Sequence, residues 1–134
     1  MTDVAAILNA HPGTLPGIDE DALVIAVQEC LNCAQSCTSC ADACIADPSA
    51  AHLGRSTGAA LNCADVATAV VRVLSRPIAY DHAVIEAVLR ALLETCREGY
   101  EDHRKHAPDN EARVICAEAC PQVRSGRHLL GSLG

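Results

Sequence analysis

The sequence contains no phenylalanine or tryptophan, and its only aromatic residues are Tyr80 and Tyr100. Half of its 134 residues are nevertheless apolar, so alanine, valine, leucine and cysteine must build the core. Sheet sandwiches favour aromatic and β-branched residues, whereas alanine and leucine favour helices. A chain of this length forms one modest core, and this composition predicts an all-α protein.

Basic stretches are also missing, and the formal net charge is −7. Because nucleic-acid binding needs clustered lysine and arginine to neutralise phosphates, we expect no nucleic-acid partner. The same acidic surface would be repelled by anionic membranes. No apolar run approaches the roughly 20 residues that a membrane-spanning helix requires, so no membrane association is expected.

The first four residues include no basic segment and begin no long apolar run, so the sequence predicts no signal peptide and a cytoplasmic location. This location gives a specific meaning to the nine cysteines. Disulfides are rare in a reducing cytosol, so cysteine richness there indicates metal binding or thiol chemistry. The odd number of cysteines also argues against a fully disulfide-paired protein.

The hydrophobic periodicity and its interruptions predict five helices. A short helix capped by Thr2 is expected over residues 2–10, followed by a loop rich in proline and glycine. Asp19 is the predicted N-cap of the first long helix, because two acidic residues follow it. Breaks that contain proline then separate four long helices, at about residues 19–46, 49–75, 82–106 and 109–130.

The turns between the long helices are short, which places consecutive helices side by side and antiparallel. The predicted fold is therefore an antiparallel up-down four-helix bundle with a cysteine-lined core. Residues 1–18 would form the short N-terminal helix and its loop, and residues 19–131 would form the bundle.

Five cysteines on the first long helix are spaced alternately by three and four residues, at Cys30, Cys33, Cys37, Cys40 and Cys44. On a helix this spacing forms one stripe that faces a single direction. Free cysteine also packs as a small buried hydrophobe, which is the simplest alternative. Alanine or valine would fill five successive core positions without the hazard of oxidation, so the stripe favours metal binding.

The remaining cysteines are Cys63, Cys96, Cys116 and Cys120. Counting residues from the turns places them at the same heights along the bundle as Cys33 to Cys44. The half of the bundle that contains Pro48 and Pro108 would then be filled with thiols, and the other half with leucine, isoleucine and valine. His103 falls on the same face as Cys96. It is either a copper ligand or guard at the open end, or a surface histidine near a helix C-terminus.

A dense thiol core selects soft metal ions, which include Cu(I), Zn(II) and iron–sulfur clusters. Zinc and iron–sulfur sites need four ligands that converge on one point or a compact cluster, and such ligands usually come from loops. Cu(I) accepts two or three sulfurs, and one thiolate can bridge two copper ions. A continuous row of thiols on a helix therefore suits several Cu(I) ions best.

The sequence resembles the bacterial four-helix-bundle copper-storage proteins. The resemblance is carried by the cysteine stripe, by the segments around Cys63, Ser75 and His103, and by Cys116-Ala117-Glu118-Ala119-Cys120. It implies cytosolic storage of Cu(I) inside the bundle, often in a homotetramer, with histidine near the open end. Family members commonly carry more cysteines, so this chain resembles a cysteine-depleted member. Core cysteines would be expected at Ser56, Ala60, Ala67, Leu92, Gly99, His103, Val123 and Arg127.

The sequence thus predicts a protein that stores or buffers several Cu(I) ions and that is not an enzyme, because no catalytic motif stands out. The predicted metal ligands are Cys30, Cys33, Cys37, Cys40, Cys44, Cys63, Cys96, Cys116, Cys120 and His103. The alternatives are an iron–sulfur electron carrier and a thiol redox sensor. The second would need a pair of cysteines able to reach disulfide geometry, which cysteines on one helix face generally do not.

Overall fold

The structure is a computed structural model that describes residues 3–12, 18–48, 54–106 and 131, without the side chains of residues 100 and 102–106. Four α-helices lie within these ranges: α1 (Val4–Ala10), α2 (Glu20–Ala46), α3 (Gly54–Leu74) and α4 (His82–His106). A short 3-10 helix, Pro77–Ala79, connects α3 to α4. The described residues contain no strand, and the all-α prediction is confirmed. The helix predicted at about residues 109–130 lies outside them.

The N-termini of α2 and α4 are each capped by an aspartate. The carboxylate of Asp19 accepts hydrogen bonds from the backbone N–H groups two and three residues later, at 3.0 and 3.2 Å. Asp81 does the same at 2.9 and 3.3 Å. Each cap satisfies amides that have no partner within the helix, which stabilises a helix by about 1 kcal/mol. The predicted cap at Asp19 is therefore confirmed.

The prediction for the N-terminal helix was wrong in its cap. The helix begins at Val4, and Asp3 rather than Thr2 caps it by accepting a hydrogen bond from Ala6 at 2.9 Å. Both residue types cap helices well, but a carboxylate also interacts favourably with the positive end of the helix dipole. Val4 and Leu8 are buried and anchor α1 against α2.

α3 packs against both α2 and α4, and because the connections are short, α3 runs antiparallel to both. One end of this group has an apolar core that none of the described cysteines enters, formed by Leu23, Val70, Leu74, Ile85 and Leu89. The N-terminal half of α2, the C-terminal half of α3 and the N-terminal half of α4 supply these side chains. We call this set the apolar end. The predicted division of the bundle into an apolar half and a thiol-containing half is confirmed for these helices.

α3 is long and apolar enough to cross a membrane, judged by length and composition alone. Core helices of soluble proteins pass the same test. α3 packs between two neighbours along a face that includes Ala60, Cys63 and Val70, and it carries the exposed charged residues Arg55, Asp65 and Arg72. The apolar character of α3 therefore follows from its place at the centre of the described helices.

Tyr80 connects the turn before α4 to the end of α3. Its hydroxyl donates a hydrogen bond to the backbone carbonyl of Leu74, one of the last carbonyls of α3, which lack partners within the helix. The ring is half-buried, and burial raises the pKa of Tyr80 to about 12.

We expect Tyr80→Phe to lower the free energy of unfolding by about 1 kcal/mol at neutral pH, because the Leu74 carbonyl loses its donor. An unfolded tyrosine ionises near pH 10, whereas folded Tyr80 keeps its proton to about pH 12. The parent protein therefore loses this stabilisation as the pH rises through that window, and the variant has none to lose. Urea unfolding of both copper-free proteins across the window measures the difference. A difference that stays constant would contradict the role of Tyr80.

Candidate metal centre

All seven cysteines within the described residues are buried, and Cys96, the most accessible, is 6% exposed. The five on α2 share one buried face, whereas Asn32, Gln35 and Thr38, which lie between them in the sequence, are exposed on the opposite side of the helix. The stripe predicted from the three-and-four spacing is confirmed. It faces α3 and α4, within the same core that holds the apolar end.

Three helices each contribute one thiol to a single point in the core. The Sγ atom of Cys63 on α3 lies 3.4 Å from that of Cys33 on α2 and 3.4 Å from that of Cys96 on α4. The Sγ atoms of Cys33 and Cys96 lie 4.0 Å apart. We call these three residues the thiol triad. Their convergence follows from the antiparallel packing, which brings the middle of each helix to the same height.

The triad has the dimensions of a metal site. The centre of a triangle with these edges lies about 2.1 Å from each sulfur, close to the metal–thiolate bond of about 2.3 Å known for zinc. The sulfurs would therefore hold a soft ion with little movement of the helices. Cu(I), which takes two or three thiolates, is such an ion.

Cys37 extends the triad along α2. Its Sγ atom lies 3.9 Å from that of Cys33, and the ligand atoms of Cys33, Cys37 and Cys63 all lie within 4.8 Å of one another. A thiolate at Cys33 or Cys63 could thus be shared between two metal ions, one in the triad and one beside Cys37. Such sharing is how a row of thiols holds a chain of Cu(I) ions.

α3 and α4 supply only one thiol each within the described residues, although more of their positions face the core. Ser56, Ala60, Ala67 and Leu92 are all buried, and so is Gly99. These are five of the positions at which a fuller member of the family would carry cysteine, so the spacing argument placed them correctly in the core. The triad is therefore the one level, among the described residues, at which three helices each present a thiol.

Burial raises the pKa of the Cys30 thiol to about 12, with smaller contributions from the negative charges of Glu29 and Cys63. Cys30 lies one turn from Cys33 on the same face of α2, on the side toward the apolar end. Cys30 is therefore protonated at neutral pH in the copper-free protein. A metal ion that binds Cys30 must displace this proton, so its affinity there rises with pH.

None of the seven described cysteines forms a disulfide with another. The sulfur of Cys63 lies 3.4 Å from those of Cys33 and Cys96, whereas a disulfide bond is about 2.05 Å long. These pairs join different helices, which the sequence argument against a redox sensor did not anticipate. Their separation is that of thiols arranged around a shared ion.

Three predicted ligands cannot be placed at the level of side chains. Cys116 and Cys120 lie outside the described residues, and His103 lies on α4 with its side chain outside them. On α2, Cys33 belongs to the triad, and Cys37, Cys40 and Cys44 follow it toward the C-terminal end of the helix. The sequence placed Cys96 at the height of Cys33 to Cys44, and the structure places it beside Cys33 and Cys63.

Comparison with known proteins gives concordant results for family and fold. Residues 19–127 match the family described as copper storage protein. The copper storage protein Ccsp from Streptomyces lividans, solved with 10 copper equivalents, is 39% identical, with a TM-score of 0.94 over 97% of this chain and 99% of that one. A structure of copper loading to a cytosolic copper storage protein from the same organism, with five coppers, is 41% identical and gives a TM-score of 0.82 over 85% of this chain and 96% of that one.

A variant of the Streptomyces lividans protein in which one histidine is replaced by alanine is also similar, with 41% identity and a TM-score of 0.85 over 88% of this chain and 99% of that one. A search of curated proteins gives no match. The high structural similarity over nearly the whole chain shows that the fold is a four-helix bundle.

Proposed function

The chain belongs to the copper storage protein family, and we propose that it binds and stores Cu(I) in the cytosol on the thiolates of its core. The observation that carries this proposal is the thiol triad, in which cysteines from three helices lie within 4.0 Å of one another. Thiolate sulfur is a soft ligand that favours Cu(I) over hard cations. A closed bundle also keeps the bound ions away from water and from other cellular thiols.

The proposed ligands are all nine cysteines, with His103 at the end of the bundle toward which the cysteine stripe runs. Seven of the nine are buried in the structure, which supports their inclusion. Cys116, Cys120 and His103 are included because of their spacing and the family resemblance.

The proposed role is storage without a catalysed reaction. A thiolate that bridges two ions allows each Cu(I) to keep two sulfurs while the number of ions approaches the number of thiols. Such sharing serves storage, whereas a trafficking site holds one ion and releases it readily. An iron–sulfur carrier would instead require four thiolates arranged around a cluster of several iron and sulfide atoms. The sulfurs of Cys33, Cys63 and Cys96, which lie 3.4 to 4.0 Å apart, leave no room for such a cluster between them.

Anaerobic titration of the reduced protein with Cu(I), against a competing chelator, tests the proposal. If each thiolate bridges two ions and each ion takes two thiolates, the nine cysteines should bind roughly nine Cu(I). The loaded protein should be colourless, since Cu(I) has a filled d shell. Saturation at one or two equivalents would refute storage, and a brown protein with broad visible absorption would favour the iron–sulfur alternative.

We also propose that the protein is a homo-oligomer, a tetramer by its family resemblance. Large apolar side chains are exposed on the surfaces of α2 and α3, including Ile25, Ile45 and Leu61. Contact between subunits would remove such side chains from water.

A further inference from the structure

The thiol triad is tighter than a flat three-coordinate site. With a metal–sulfur bond of about 2.3 Å, a planar site would hold its sulfurs about 4.0 Å apart. Only one edge of the triad has that length, and the other two are 3.4 Å. An atom bonded at about 2.3 Å to all three sulfurs would lie about 0.9 Å out of their plane. The triad therefore favours an atom whose three bonds form a pyramid.

Trivalent arsenic has this geometry together with a strong preference for sulfur. Its lone pair pushes its three bonds to one side, so the bond angles are closer to a right angle than to the angle of a planar site. Three thiolates around it consequently lie nearer to one another than around a planar ion. The two short edges of the triad, both made by Cys63, match that closer spacing.

The charge balance of the core points the same way. The buried residues include no lysine, arginine or histidine within the described part of the chain, and Ser56 is the one buried polar side chain there. One Cu(I) on three thiolates leaves two negative charges without a cationic partner, which is unfavourable in an apolar environment. Trivalent arsenic on three thiolates is neutral. It therefore needs no further ion to compensate the charge.

We propose that Cys33, Cys63 and Cys96 form a binding site for trivalent arsenic, taken up as arsenious acid, in addition to their role in copper storage. One As(OH)3 molecule condenses with the three thiols: three As–S bonds form and three As–O bonds break. Each thiol proton leaves with one hydroxide, so three water molecules are released. Arsenic remains trivalent, and no oxidant or reductant is required. Because arsenious acid is small and uncharged at neutral pH, it enters the core without the cost of burying an ion.

The overlapping set of Cys33, Cys37 and Cys63 is the less suitable site. Cys33 and Cys37 belong to one helix and their sulfurs are 3.9 Å apart, and the set as a whole spans up to 4.8 Å. The 3.9 Å edge between Cys33 and Cys37 is close to the 4.0 Å edge of a planar site, whereas the triad has two edges of 3.4 Å at Cys63. The pyramidal site therefore belongs to the triad, whose members come from three helices.

The test is equilibration of the reduced, copper-free protein with arsenite, followed by gel filtration and determination of arsenic by mass spectrometry. The parent should retain about one equivalent, and X-ray absorption at the arsenic edge should show three sulfur neighbours and no oxygen. Cys33→Ser, Cys63→Ser and Cys96→Ser should each lose most of the bound arsenic. Cys37→Ser and Cys44→Ser are matched controls that remove a thiol of the same stripe and should retain it.

The possible results separate this proposal from copper storage. Arsenic retained equally by the parent and by Cys63→Ser would overturn it, as would arsenic with oxygen among its neighbours. Failure to retain arsenic, in a preparation that still takes up several Cu(I) ions, would overturn the arsenic site and leave copper storage intact. Failure to bind either would refute both. Bound arsenic should also lower the Cu(I) capacity of the parent, because the three triad thiols are no longer available.

Discussion

A Cys63→Ser variant should bind about two or three fewer Cu(I) ions than the parent, although it lacks only one thiol. Cys63 is at the centre of the described sulfur contacts, 3.4 Å from both Cys33 and Cys96. As the only cysteine of α3, it has no neighbour on its own helix that could replace it. Removing it therefore leaves ions beside Cys33 and beside Cys96 short of a ligand. Chelator competition and metal analysis of the anaerobically loaded variant measure the loss.

Ala67→Ser is the matched control for this experiment. Ala67 is fully buried one turn from Cys63 on the same face of α3, so serine there places a hydroxyl in the core and leaves every thiol in place. Its copper capacity should equal that of the parent. A Cys63→Ser capacity within one ion of the parent would show that Cys63 is not shared between ions. Equal losses in the two variants would attribute the effect to the buried hydroxyl instead.

The sequence predicted most of the features that position the site. The spacing of the α2 cysteines placed all five on one buried face, and the acidic cap at Asp19 marked the start of the helix. Both predictions rest on local rules, because helical periodicity and capping depend on residues within one or two turns. The apolar end followed from the same periodicity, applied to leucine and valine.

The meeting of Cys33, Cys63 and Cys96 was not predicted, because contacts between helices depend on how the turns are made. The signal was nevertheless present in the sequence. Cys33 and Cys63 are equally far along the chain from Pro48, and Cys63 and Cys96 are almost symmetric about the turn at Ala79 and Tyr80. In an antiparallel pair, residues equidistant from the turn lie at the same height. Counting the cysteines only from the turns at Pro48 and Pro108, and not from the turn between α3 and α4, hid this relation.

The two ends of the bundle have different roles. The thiols at one end bind copper, and the aliphatic side chains at the other stabilise the fold. Leu89 is fully buried at the apolar end, about two helical turns from Cys96 on α4, or roughly 10 Å along the helix. Around it are Leu23, Val70, Leu74 and Ile85, none of which can bind a metal ion. Unlike a zinc finger, the bundle therefore has a core that can fold it before any metal is bound.

Leu89→Ala should consequently lower the free energy of unfolding of the copper-free protein by about 2–5 kcal/mol, because it leaves a cavity in this core. The number of Cu(I) ions bound by the folded variant should not change. Urea unfolding followed by circular dichroism gives the first quantity, and anaerobic titration gives the second. Val84→Ala is the matched control: Val84 lies on the same helix but is 48% exposed, so its loss should cost far less. A disordered copper-free parent would contradict this prediction, and so would a loss of copper by Leu89→Ala in proportion to its loss of stability. Either result would mean that the protein folds only as it binds copper, and that the apolar end cannot fold it without metal.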